Sequence, residues 1–155
     1  MTGTAESTTR TLLVERVFPH PPEKLWRALT ENPLIAQWLM KNDFEPVVGR
    51  RFQFRAEPRP NWEGVIDCEV LIVDHLKRLS YSWSSMGLDF VVLWTLTPAE
   101  GGTHLSMEQS GFRADQPANY QGAKYGWQRF FDGLERMLGV RVNEDGPCGT
   151  SSSAG

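Results

Sequence analysis

Cysteine and histidine are scarce in this chain, and neither sign of charge dominates. Of the two cysteines, Cys68 sits in an apolar alternation and Cys148 in a Gly/Ser-rich tail, so no disulfide framework is expected. That usage suits a reducing compartment. His20, His75 and His104 are dispersed, without the close His or carboxylate spacing of a zinc site. Each reads as a surface or capping residue, and neither a metal nor a cofactor is expected. A phosphate-cradling glycine loop and a nucleophile elbow are also missing from the sequence.

The 16 basic and 19 acidic residues are mixed along the chain and sum to a formal charge of -3, which disfavours broad nucleic-acid affinity. The densest basic stretch, Arg50, Arg51, Arg55 and Arg59, has Glu45 and Glu57 among it. It reads as a solvated strand face that protects an edge, with an anionic ligand or partner as the alternative. No apolar run approaches the roughly 20 residues that cross a bilayer, and MTGTAESTTR lacks the apolar stretch of a secretory signal. No membrane insertion and a cytoplasmic location are expected.

What the chain does have is apolar and aromatic content, 40% and 11% over 155 residues, enough for one domain with a sizeable core. Residues 1–10 and 143–155 have little to bury and are expected to be disordered, leaving 11–142 as the folded domain. TLLVERVF has strand content. His20-Pro21-Pro22 stops it and starts a short helix, because proline is tolerated in a first helical turn. Asn32-Pro33 reads as an N-cap and first turn of a second short helix, through about Leu39.

From Gly49 to Phe112 the period changes to two, and turn signals divide the stretch into four or five strands. One face carries Trp62, Gly64, Ile66, Cys68, Val70 and Ile72; the next strands turn Leu79, Tyr81 and Trp83, then Phe90, Val92, Trp94 and Leu96, the same way. After a hairpin loop at Pro98–Gly102, Leu105, Met107 and Gln109 follow inward. A helix starting between Ala118 and Lys124 ends the domain with Trp127, Phe130, Phe131, Leu134, Met137 and Leu138 on one stripe. Its two interior glycines each cost roughly 1 kcal/mol relative to alanine. Gly126 is expected to ease an early turn, and Gly133 to allow close approach to the sheet. The order of elements is that of an α+β domain whose long helix covers a bent sheet, an arrangement that often leaves a concavity.

PHPPEKLWRALTENPLIAQWL, VVGRRFQF, DCEVLIVDHLKRLSYSW, LWTLTPAEGGTHLSMEQSGF and GWQRFFDGLERML together resemble, in order, the domains of the activator of Hsp90 ATPase homologue type (AHSA1-like). These belong to the START-like, Bet v 1-like (SRPBCC) superfamily. The resemblance implies a helix-grip fold: a curved antiparallel sheet wrapped around a long C-terminal helix, with two short helices after the first strand. It also implies a hydrophobic small molecule, aromatic, polyketide-like or lipid-like, in an internal cavity. A cyclase, dehydratase or hydrolase in the same cavity is the alternative, and a chaperone-associated module a further one. Hsp90 activators of this kind carry an additional N-terminal domain with an Asn/Trp/His-rich motif that these residues lack, so Hsp90 itself is not expected as a partner. Exposed strand edges leave a homodimer open.

The inward aromatics and methionine are the main binding candidates: Phe52, Phe54, Tyr81, Trp83, Phe90, Trp94, Met107, Trp127 and Phe131, with Ile66, Val92 and Leu134 completing the lining. Alternation alone does not separate a lined cavity from a filled core. Tyr81, Gln109 and Arg16 are the polar groups that would orient a guest, but Arg16 equally reads as a snorkelling, ion-paired or outward residue. Trp38, on the second short helix, is either a gate or, like Trp26, a pin for its helix, while Trp62 falls near a rim. Asp67 and Glu69 share a strand face, but it is opposite the apolar row and reads as solvated. Cys68 has no base beside it. No catalytic residue is singled out.

Overall fold

A computed structural model of the protein describes residues 9–58, 60, 63–113 and 116–145. Arg59, Trp62 and most of both terminal stretches lie outside the described residues. Strand β1 (Thr9–Phe18) leads into two short helices, α1 (Pro22–Thr30) and α2 (Asn32–Trp38), then β2 (Lys41–Asn42) and β3 (Arg51–Arg55). A meander follows: β4 (Val65–Asp74), β5 (Arg78–Ser85), β6 (Leu88–Ala99) and β7 (Gly102–Arg113), before the long helix α3 (Pro117–Asp145). All pairings are antiparallel in one sheet of order β1-β7-β6-β5-β4-β3-β2. β1 thus starts before the expected boundary at residue 11, and α3 extends beyond 142.

Proline placement sets the helix starts. Pro22 opens α1 and Pro117 opens α3, upstream of the expected start, since a first helical residue needs no N–H partner and has proline's φ. Asn32, expected as the N-cap of α2, is instead its first helical residue. Glu31, extended at φ -98° and ψ 118°, closes α1 through its N–H to Arg27 O and opens α2 through its own carbonyl to Leu34 and Ile35. One residue serves both helix ends, so no separate cap is inserted between them.

Turns and bulges set which side chains face α3. Met86 and Gly87, at φ 56° and 78°, form a two-residue connection between β5 and β6 whose handedness matches strand twist. A bulge in β4 pairs Val70 with Tyr81 and then Ile72 with Ser80, skipping Leu71. The expected inward Ile72 is therefore turned to the other face, and Val73, opposite Leu79, packs on the core instead. Gly111, at φ 110°, is the skipped residue of β7 and restores Phe112 to the interior. At the opposite end Gly102 passes so near β1 that an added Cβ would be 1.9 Å from the Phe18 carbonyl oxygen.

The core lies between the sheet's inner face and α3, which presents Trp127, Phe131, Leu134 and Leu138 at spacings of four, three and four residues. Gly133, expected to allow close approach to the sheet, does not do so. It faces α2, and a Cβ there would make an ordinary contact of 3.6 Å with Trp38 O. Gly126 borders open space.

Candidate functional site

The inner face is ordered in transverse rows. Val70, Tyr81, Val92, Gln109 and Leu12 lie opposite one another across β4, β5, β6, β7 and β1; Leu79, Trp94, Met107 and Val14 form the adjoining row. β3 adds Phe52 beside Cys68 and Phe54 beside Ile66. Over this floor α3 lowers Trp127, Phe131 and Leu134. All of these side chains are buried, Trp94 and Met107 completely.

Rings fill the space between floor and roof. Trp94 meets Trp127 at 5.6 Å, Phe131 at 5.9 Å and Trp38 at 5.7 Å between centroids, and Phe52 meets Tyr81 at 5.4 Å. Edge-on and tilted geometries dominate, as the ring quadrupoles favour. Two indoles also hold the polar members of the set: Trp94 Nε1 donates to Tyr81 Oη at 2.9 Å, and Trp127 Nε1 donates to Gln109 Oε1 at 2.7 Å. Each bond relieves two buried polar groups in an apolar surrounding.

Among the described residues the relief is incomplete. The Gln109 amide N–H groups and the Tyr81 O–H hydrogen have no acceptor, although both residues are only 3% exposed. Burial pushes the Tyr81 hydroxyl above the usual tyrosine range, with the Trp94 bond opposing the shift. The buried Cys68 thiol is likewise raised by burial, then by the Asp67 and Asp43 charges, so it stays protonated and unreactive.

Trp83 and Phe90 are half-buried, at the end of the sheet where β5 turns into β6. Trp83 touches Phe54 at 5.3 Å and Trp127 at 5.4 Å, and Phe130, half-buried on α3, touches Trp127 at 5.5 Å. Trp38 is pinned: its Nε1 donates to Ala28 O of α1 at 2.9 Å. Arg16, of inner parity, is ion-paired at the seam of β1 and α3. Its guanidinium contacts Asp132 and Glu135 at 3.0 Å each, donates to Gln128 and lies over the Phe131 ring at 5.5 Å. Phe44 completes the aromatic set against Phe52 at 5.0 Å and Tyr81 at 6.1 Å. It comes from an irregular stretch after β2, where no periodicity signals it.

Two clefts lie elsewhere. One, of about 500 Å³, is on the outer face of β3, β4 and β5, where Asp67 accepts from Gln53 at 2.7 Å and Glu69 faces Arg51 at 3.9 Å. The other, about 250 Å³, lies between α1, α2 and the second half of α3. Among the described residues no His, Cys, Asp or Glu group is arranged to hold a metal, and no helix is long and apolar enough to cross a membrane.

Seven antiparallel strands curled around one long C-terminal helix, with two short helices after the first strand, define a helix-grip domain of the START-like, Bet v 1-like kind. The chain belongs to the family described as "Activator of Hsp90 ATPase homolog 1-like protein", whose model matches residues 19–139. Its structure is similar to that of protein MLL2253 from Mesorhizobium loti, at 55% identity and TM-score 0.79 over 84% of this chain and 98% of that one. DynU16, a protein of the dynemicin biosynthetic locus, is similar at 27% identity and TM-score 0.70 over 83% of this chain but 46% of its own. CalU16 from Micromonospora echinospora, at 19% identity, TM-score 0.71 and coverage of 88% and 83%, shares the fold. A comparison with curated proteins gives no match.

Proposed function

We propose that the protein binds an apolar small molecule, aromatic, polyketide-like or lipid-like, in the interior between the sheet and α3. One observation carries this reading: the aromatic interior reaches the surface without a polar break. Trp83 and Phe130 are half-buried, and both touch Trp127, which touches the fully buried Trp94. A guest entering beside Trp83 would exchange ring contacts with the protein for contacts with itself, with Met107 adapting to its shape. Family membership and the similarity to a protein of a biosynthetic locus support the same reading.

The test is a titration of ¹⁵N-labelled protein with a panel of aromatic, polyketide-like and fatty-acyl compounds. The indole N–H signals of Trp94 and Trp127 should shift with a subset of them. Shifts confined to residues of the outer cleft, or none with any compound, would overturn the proposal.

A further inference from the structure

The interior has hydrogen-bond donors left over. Gln109 Oε1 is taken by Trp127, and its amide N–H groups have no acceptor among the described residues; Tyr81 Oη is taken by Trp94, and its own hydrogen has none. The two residues flank Val92 in one row of the inner face. They are two strands apart, about 10 Å at the usual strand spacing. A buried donor without an acceptor is rarer, and costlier to leave, than a second lone pair unused on an oxygen.

Charge is missing as well. No Lys, Arg, Asp or Glu is among the buried residues described. Of the two cations with inner parity on β1, Arg16 is held by Asp132 and Glu135, and Arg10 is exposed with its guanidinium 3.9 Å from the Tyr120 ring centroid, outside the buried interior. An anionic guest would therefore lose its hydration with no cation in return, which is prohibitive in an apolar surrounding.

We infer that the guest is a neutral molecule with at least one carbonyl-type oxygen, which accepts a spare proton from Gln109 or Tyr81. This rests on the interior-binding reading above and adds the chemical class of the guest. A ketone, ester, amide or quinone fits; a hydrocarbon leaves the donors unpaired, and a free carboxylate brings an uncompensated charge.

Three probes of similar shape separate these cases: benzophenone, diphenylmethane and diphenylacetate, titrated into the full chain and followed by tryptophan fluorescence and indole N–H shifts. Benzophenone should bind about tenfold more tightly than diphenylmethane, the effect of one satisfied buried donor. Diphenylacetate should be weaker still. At least one of the double variants Gln109→Leu/Trp127→Phe and Tyr81→Phe/Trp94→Phe, which remove the spare protons without stranding an indole N–H, should reduce the benzophenone advantage over diphenylmethane, and a reduction in neither overturns the carbonyl rule; if the variants do not fold, the comparison of probes on the unaltered chain decides. Equal affinity for benzophenone and diphenylmethane, the result expected if internal water already serves both donors, overturns the carbonyl rule and leaves interior binding standing. Preference for diphenylacetate overturns it too. If none of the three perturbs the indoles, the carbonyl rule falls, and the broader panel of aromatic, polyketide-like and fatty-acyl compounds decides whether interior binding stands.

Discussion

The Trp127 indole N–H donates to Gln109 Oε1 at 2.7 Å, and through this bond helix α3 holds strand β7. Burial of apolar area is non-directional and by itself would tolerate a helix shifted along the sheet. An N–H aimed at one amide oxygen sets the helix's position along the strand and keeps Phe131 over Trp94.

Trp127→Phe keeps a ring but removes the donor, leaving Gln109 buried without its partner. Unfolding free energy should fall by about 2 kcal/mol, and Gln109→Leu should cost a similar amount by stranding the indole N–H. The double variant removes both polar groups and should lose clearly less than the sum. Urea denaturation of the four proteins measures this, and strictly additive losses would count against a coupled bond.

The glycines should separate by what a methyl group meets. Gly102→Ala drives Cβ to 1.9 Å from a backbone oxygen of Phe18, an obstacle that cannot rotate away, and should cost about 3 kcal/mol or more. Gly126→Ala meets open space and Gly133→Ala an ordinary 3.6 Å contact with Trp38 O, so each should stabilise α3, by up to about 1 kcal/mol. Thermal melts should place Gly102→Ala well below the unaltered protein and the other two at or above it. A destabilised Gly133→Ala would mean that α2 and α3 pack more closely than described.

Arg16 ties the edge strand to the helix, but its partners Asp132 and Glu135 are 60% and 58% exposed. Arg16→Met should therefore lose at most about 1 kcal/mol at low ionic strength. In 1 M NaCl most of the difference from the unaltered protein should vanish. A loss independent of salt would assign the effect to packing of the guanidinium on Phe131 instead.

Alkaline pH should weaken the fold through Cys68 and Tyr81. Burial raises both groups above their ordinary values, so the unfolded chain releases these protons first and binds fewer than the folded chain. The contribution is fully present below about pH 8.5 and declines above it, first through the thiol and then, above about pH 10, through the phenol. Urea midpoints at pH 7, 9 and 10.5 should fall in that order. A Cys68→Val/Tyr81→Phe variant should show a shallower fall over the same range, and an identical fall would remove both groups from the explanation.

The inward row of β5 to β7 was legible because nothing interrupts the alternation from Leu79 to Gln109 except turns that preserve it. Ile72 does not follow the alternation, because the skipped Leu71 leaves no mark in the pattern of apolar residues; Ile and Val read alike on either side of a bulge. Phe44 is not legible, because a single aromatic between Asp43 and Glu45 has no period to join. The neighbour of Gly133 is not legible either, since the sequence holds the spacing along α3 but not the element that lies against it.

By itself, then, the sequence determined the order of elements, the parity of the central strands and the apolar stripe of α3, because these follow from local periodicity and from where proline and glycine fall. Tertiary structure alone decided which polar groups meet. Tyr81 and Trp94 are 13 residues apart, and Arg16 and Glu135 119 apart. No local pattern encodes such distances, and it was their closure that turned Arg16 from a candidate anchor into a clasp and left Gln109 and Tyr81 with protons to offer.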